Sequence, residues 1–286
     1  MTVEKQLANA ADFFRQTHAD RWALSLTNGH SLSVTAQRAD GFLLLDADTG
    51  CPPAEGMPDE LPGIPSMPAA VKFAWRTDWP SLRLRAEFPL PAEDVDDGRV
   101  HLHLDGIRQA YGGLRDGLFR EEGVVGATPV CAAGPVAPAD LLDWLREAGW
   151  ECHERPGKPL LADLETPGHF QQAEIAAVDG CTRFRVTLCR AAEPSMPHLR
   201  ALGWYLLQAN SGLRMARGFL EREDDALAAG FDVCMCGTLT AADAGHALAA
   251  LSVACRSCAR EMNVLQDDAL AGLYRPAPGL ISMKGA

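Results

Sequence analysis

The sequence predicts an α+β protein of two tandem helix–antiparallel sheet–helix units, the first lacking its second helix. Two observations predict it. Short runs alternate apolar and polar residues between turn residues, and stretches of helical period bracket those runs. The apolar stripe Val100, Leu104, Ile107, Tyr111, Leu114 and Leu118 also recurs, 144 residues later, as Ala244, Leu248, Leu251, Cys255, Cys258 and Met262. An internal repeat accounts for both.

In the first unit, Leu7, Ala11 and Phe14 predict a helix. Residues 22–27 and 31–38 read as strands around Asn28-Gly29, and residues 42–47 as a third after Asp40-Gly41. Six prolines (Pro52, Pro53, Pro58, Pro62, Pro65, Pro68) then predict a loop where a second helix is expected. Residues 71–76 and 82–90 follow as strands. In the latter, Leu82, Leu84, Ala86 and Phe88 alternate with Arg83, Arg85 and Glu87. The stripe from Val100 closes the unit as a helix.

Residues 123–138 are rich in Gly, Ala and Pro and predict an interdomain linker. The units are therefore bounded at 1–122 and 138–275, with a linker at 123–137 and a tail at 276–286. The second unit opens with a helix capped by Asp140 and lined by Leu141, Leu142, Leu145 and Ala148. Strands are predicted at 160–165, 170–178 and 182–189, the last two joined by Asp179-Gly180. A second helix starts near Pro197 with Leu199, Leu202, Leu206 and Leu213 on its inner stripe. Strands at 215–222 and 227–236 come next, then a long helix capped by Thr240.

Composition narrows the function. With 47% hydrophobic and 22% charged residues, the 286-residue chain is an ordinary globular protein long enough for two cores. Its net charge of −12 disfavours phosphate backbones and anionic lipid, so neither nucleic acid nor membrane is an expected partner. Residues 1–11 carry no secretory pattern and no apolar run spans a bilayer. Nine cysteines, an odd number without small-scaffold spacing, predict no disulfide framework and a reducing, cytoplasmic setting.

The order helix, three strands, helix, two strands, long helix resembles class I type III secretion chaperones and the related YbjN-like proteins. The local match is Leu206-Leu207-Gln208-Ala209-Asn210-Ser211-Gly212-Leu213-Arg214, followed by the strand Arg217-Gly218-Phe219-Leu220 and the helix from Thr240. The resemblance implies a non-enzymatic module that pairs with another copy and holds a segment of a client or regulatory protein. A tandem chain supplies both halves itself, as an intramolecular pseudo-dimer, or forms a homodimer.

Two constellations invite chemistry. Cys234, Cys236, Cys255 and Cys258 have the donor type for tetrahedral zinc. The last two lie in the buried stripe of the final helix, however, and on a strand the first two face away from Phe231 and Val233. His101-Leu102-His103-Leu104-Asp105 resembles part of the metal motif of metallo-β-lactamase-like hydrolases, but Gly106 stands where that family has a histidine. On a helix His101 and His103 point about 200° apart and form a solvated face instead of a metal site. The expectation is therefore no catalytic residue, no cofactor and no metal. A small metal-dependent enzyme using His101, His103 and Asp105 or the cysteines is the alternative. The interface residue the sequence singles out is Trp204. It falls on the outer side of the second helix beside Arg200, Leu207 and Ser211, where the first half or a second copy is expected to cover it together with Leu207.

Overall fold

The structure, a computed structural model, describes residues 2–53, 71–90, 98–116, 138–154, 159–166, 169–178, 181–223, 226–236 and 239–274. Its elements run α1 (Val3–Ala10), β1 (Phe13–His18), β2 (Arg21–Asn28), β3 (His30–Ala39), β4 (Phe42–Asp48), β5 (Val71–Ala74), β6 (Arg83–Pro89) and α2 (Arg99–Asp116). Then follow α3 (Pro138–Glu147), β7 (Cys152–His153), β8 (Leu160–Thr166), β9 (His169–Val178), β10 (Cys181–Ala191), α4 (Met196–Gly212), β11 (Arg217–Glu223), β12 (Ala226–Met235), α5 (Ala241–Leu265) and the short α6 (Asp268–Ala271). The fold is α+β, with helices packed on two antiparallel six-stranded sheets. The Pro-rich residues 54–70, the proposed linker 123–137 and the tail 276–286 lie outside the described residues.

Both sheets have one strand order. The first runs β1-β2-β3-β4-β6-β5, and the second runs β7-β8-β9-β10-β12-β11 from the matching end. The pairing registers lay one on the other. Ala39 opposite Phe42 matches Val178 opposite Cys181, and Leu43 opposite Phe88 matches Thr182 opposite Met235. Inward-facing Trp22, Leu24 and Leu26 thereby match Leu160, Ala162 and Leu164, all buried. By the same matching Asp46 takes the place of Arg185, Arg85 that of Asp232, and Lys72 that of Arg217. A cross-strand ion pair is kept with its signs exchanged: Asp46–Arg85 at 3.7 Å in one unit, Arg185–Asp232 at 3.3 Å in the other.

Four features differ from those expected of the sequence. The first helix stops at Ala10 and does not reach Phe14; Phe13 and Phe14 open β1, where aromatic residues pair well with β2. Each unit thus has four strands, not three, before its middle segment. In the second unit the added strand is only Cys152–His153, too short to carry a period. Asp140 does not cap its helix but lies in the first turn, because Pro138 suits a helix start. The cysteines include one disulfide, Cys181–Cys236, formed because the β10–β12 register ends with those residues opposite one another. Thr240 does cap α5, in a capping box with Asp243.

A reciprocal junction and its side chains

The two units meet along edge strands β5 and β11, with α4 against both. Asn210, near the end of α4, bridges them. Its amide donates to the Phe73 carbonyl (2.8 Å), and its carbonyl accepts from the Gly218 N–H (2.6 Å). Gly218 is required there, since a Cβ would stand 2.7 Å from Leu206. Buried Lys72 donates to the carbonyl of Ala216 (3.2 Å) and pairs with Glu87 (3.5 Å), whose carboxylate also accepts from the Met215 N–H (2.8 Å). Burial outweighs Glu87 and lowers the Lys72 pKa to about 8.

Contacts across the junction reciprocate. Lys72 reaches the Ala216 carbonyl, and its counterpart Arg217 reaches the carbonyl of Val71, the counterpart of Ala216. Phe42 packs edge-on to His246 (5.6 Å between centroids), and Leu102, which matches His246 in the helix repeat, packs against the pair formed by Cys236 and Cys181, the counterpart of Phe42. Residue i meeting j while j meets i is the signature of a two-fold interface. Arg99 and Asp243, which occupy matching places at the starts of α2 and α5, meet each other in a buried two-pronged pair (2.7 and 3.1 Å).

The structure brings two of the singled-out interface residues into this junction. Trp204 packs against Trp75 of the first unit at 4.8 Å between ring centroids. Leu207 is buried, and its carbonyl accepts from the Trp75 N–H (3.1 Å). Arg200 is exposed. No reading of the sequence singled out Trp75, which sits just past the end of β5; the tryptophan after a strand was its only signal.

The metal alternatives are separated. His101 is exposed, whereas His103 is buried rather than solvated, because α2 turns it onto the sheet. It stacks on Phe88 at 4.0 Å and donates from Nδ1 to the Arg99 carbonyl (2.7 Å). Burial pulls its pKa down to about 4, so it is neutral. Asp105 pairs with Arg108. Cys255 and Cys258 lie in the core with thiols pushed up by burial to about 12 and 11. Cys234 is on the other face, beside Arg217 (3.7 Å), and Cys236 is in the disulfide. Among the described residues no group of three or more metal-ligating side chains converges.

A Ser–Asp–His cluster unforeseen in the sequence joins α4 to α6. Ser195 Oγ donates to Asp268 (2.5 Å), and His198 Nδ1 is 3.4 Å from the same oxygen. The carboxylate stands between serine and histidine, so the imidazole cannot take the hydroxyl proton; the cluster ties two helices together.

Beside the junction an open groove of about 270 Å³ is lined by Gln37, Phe42, Leu44, Arg85, Glu87 and residues 211–214. Arg85 is spent on the Ser211 carbonyl (2.7 Å), Asp46 and Glu87. No helix among the described residues is long and apolar enough to cross a membrane. The fold and junction define a two-unit α+β protein with an internal reciprocal interface. Comparison with protein-family models, curated proteins and solved structures finds no match.

Proposed function

We propose that this chain is a non-enzymatic protein-binding module, a chaperone or adaptor that holds an extended segment of a client or regulatory protein. It is built as an intramolecular pseudo-dimer, like two chaperone halves in one chain. The observation that carries the reading is the reciprocal junction. The Trp204 face is packed on Trp75 of the same chain, which supports reading the pairing that the resemblance implies between copies as one made within the chain. The buried ionic groups at the junction are occupied with one another, which suits a structural role for them. The sheet surfaces and edges away from the junction are then the ones available to a partner.

The test is sedimentation of the purified full chain alone and with a panel of labelled extended peptides. A monomer that binds peptides in a 1:1 complex supports the proposal. A chain that binds none of them, or that retains stoichiometric zinc or iron through dialysis, contradicts it and favours the metalloenzyme.

A further inference from the structure

Of the four outer edges of the two sheets, β5 and β11 face each other at the junction. The other two are unlike. β1 covers β2 over most of its length and carries a register irregularity between Gln16 and His18, a device that blunts an edge. Beyond β1 the next edge-facing N–H, that of Thr27, is taken by the Asp12 carboxylate at 2.6 Å. The edge of β2 is thereby covered.

Among the described residues of the second unit, the matching stretch of β8 is uncovered. β7 pairs only at Cys152 and His153, and one further bond, from the Asp163 N–H to the Glu151 carbonyl (2.9 Å), ends the cover. By strand alternation the N–H and C=O of Glu165 face the same open side as those of Asp163. No described residue pairs with them. Glu165 is the counterpart of Thr27, and the counterpart of Asp12 is Trp150. An indole has a donor and no acceptor, so it cannot close an N–H as the carboxylate does. Next to this uncapped stretch, Phe170 lies opposite Glu165 on β9 with 76% of its surface exposed.

We infer that the edge of β8 at residues 164–166 is a docking site for an extended, basic peptide segment, which adds there as a strand and covers Phe170. The occupant follows from charge. Glu151 and Glu165 are exposed along the open stretch, while Asp163 between them is held by His153 and Gln172 (both 2.9 Å). Of the described cations nearby, Arg146 donates to the Cys152 carbonyl (3.4 Å). Backbone bonds from the edge supply affinity, and alternate Lys or Arg side chains of the incoming strand meet the carboxylates. The site rests on the protein-binding reading and gives it a location and a partner chemistry.

The experiment uses the full chain, a soluble capped peptide of alternating Lys and Val, and its Glu–Val counterpart. Fluorescence anisotropy reads affinity, and hydrogen exchange reads which amides are covered. The Lys peptide is expected to bind more tightly than the Glu peptide by at least tenfold at low salt, to lose affinity as salt rises, and to protect the Glu165 amide. Phe170→Ser, at an exposed side chain, and Glu165→Pro, which removes the edge N–H, should each weaken it by tenfold or more. Should Glu165→Pro disturb the sheet, Phe170→Ser and the exchange pattern still decide. Binding that protects β1 or the junction instead of Glu165 overturns this site and leaves the general proposal standing. Failure to bind peptides of either charge overturns both.

Discussion

His103 has a cost that only acid reveals. It is held neutral on Phe88, with its pKa down to about 4 from the ordinary 6.5. Between those values the unfolded chain takes up a proton that the folded chain refuses. Its contribution to stability is therefore complete above pH 6.5 and is lost as pH falls toward 4, by up to about 3 kcal/mol. Urea unfolding at pH 7.5 and pH 5 should show a larger loss in the native sequence than in His103→Gln; equal losses would contradict the burial. The Arg99–Asp243 pair makes a second residue-scale prediction. Arg99→Met leaves a buried carboxylate that also caps α5, and is expected to cost about 3–5 kcal/mol in denaturant unfolding. Neither role was legible beforehand. The helical stripe says which side chains share a face, but the depth of His103 depends on how closely α2 lies on β6, and a local pattern does not contain that distance.

At the scale of elements, Gly230 marks the place where β12 crosses the register irregularity of β10 between Thr187 and Cys189. A Cβ there would stand 2.0 Å from the Val186 carbonyl oxygen, which is backbone and cannot swing aside. Gly230→Ala is expected to destabilise the second unit by more than about 2 kcal/mol, measured as a lower denaturant midpoint, because overpacking against a sheet moves the sheet. Replacing both Cys255 and Cys258 with Ala should cost about 1–3 kcal/mol together through lost apolar contact, and leave peptide binding intact. Most long elements were readable from period alone, since Phe184 and Val186 on β10, or Leu248 and Leu251 on α5, bury the faces their spacing marks. The failures were short or composite. β7 has two residues, and Leu7, Ala11 and Phe14 kept helical spacing across the point where the chain turns from α1 into β1.

For the whole molecule the claim is that two units of one topology pair with each other inside a single chain. The repeat was legible because a helix stripe survives substitution of Leu by Cys or Met. The closeness of the pairing was not, because Trp75, Lys72 and Asn210 lie well over a hundred residues from the groups they meet across the junction. The direct test is to place a protease site in the linker between residues 123 and 137, cleave the intact chain, and follow both fragments by sedimentation. Held by the junction, the fragments of the native sequence should stay together as one particle. With Trp204→Glu, a buried charge set against Trp75, they should part while each keeps its far-ultraviolet circular dichroism. Native fragments that separate on cleavage, or Trp204→Glu fragments that remain together, would contradict the account.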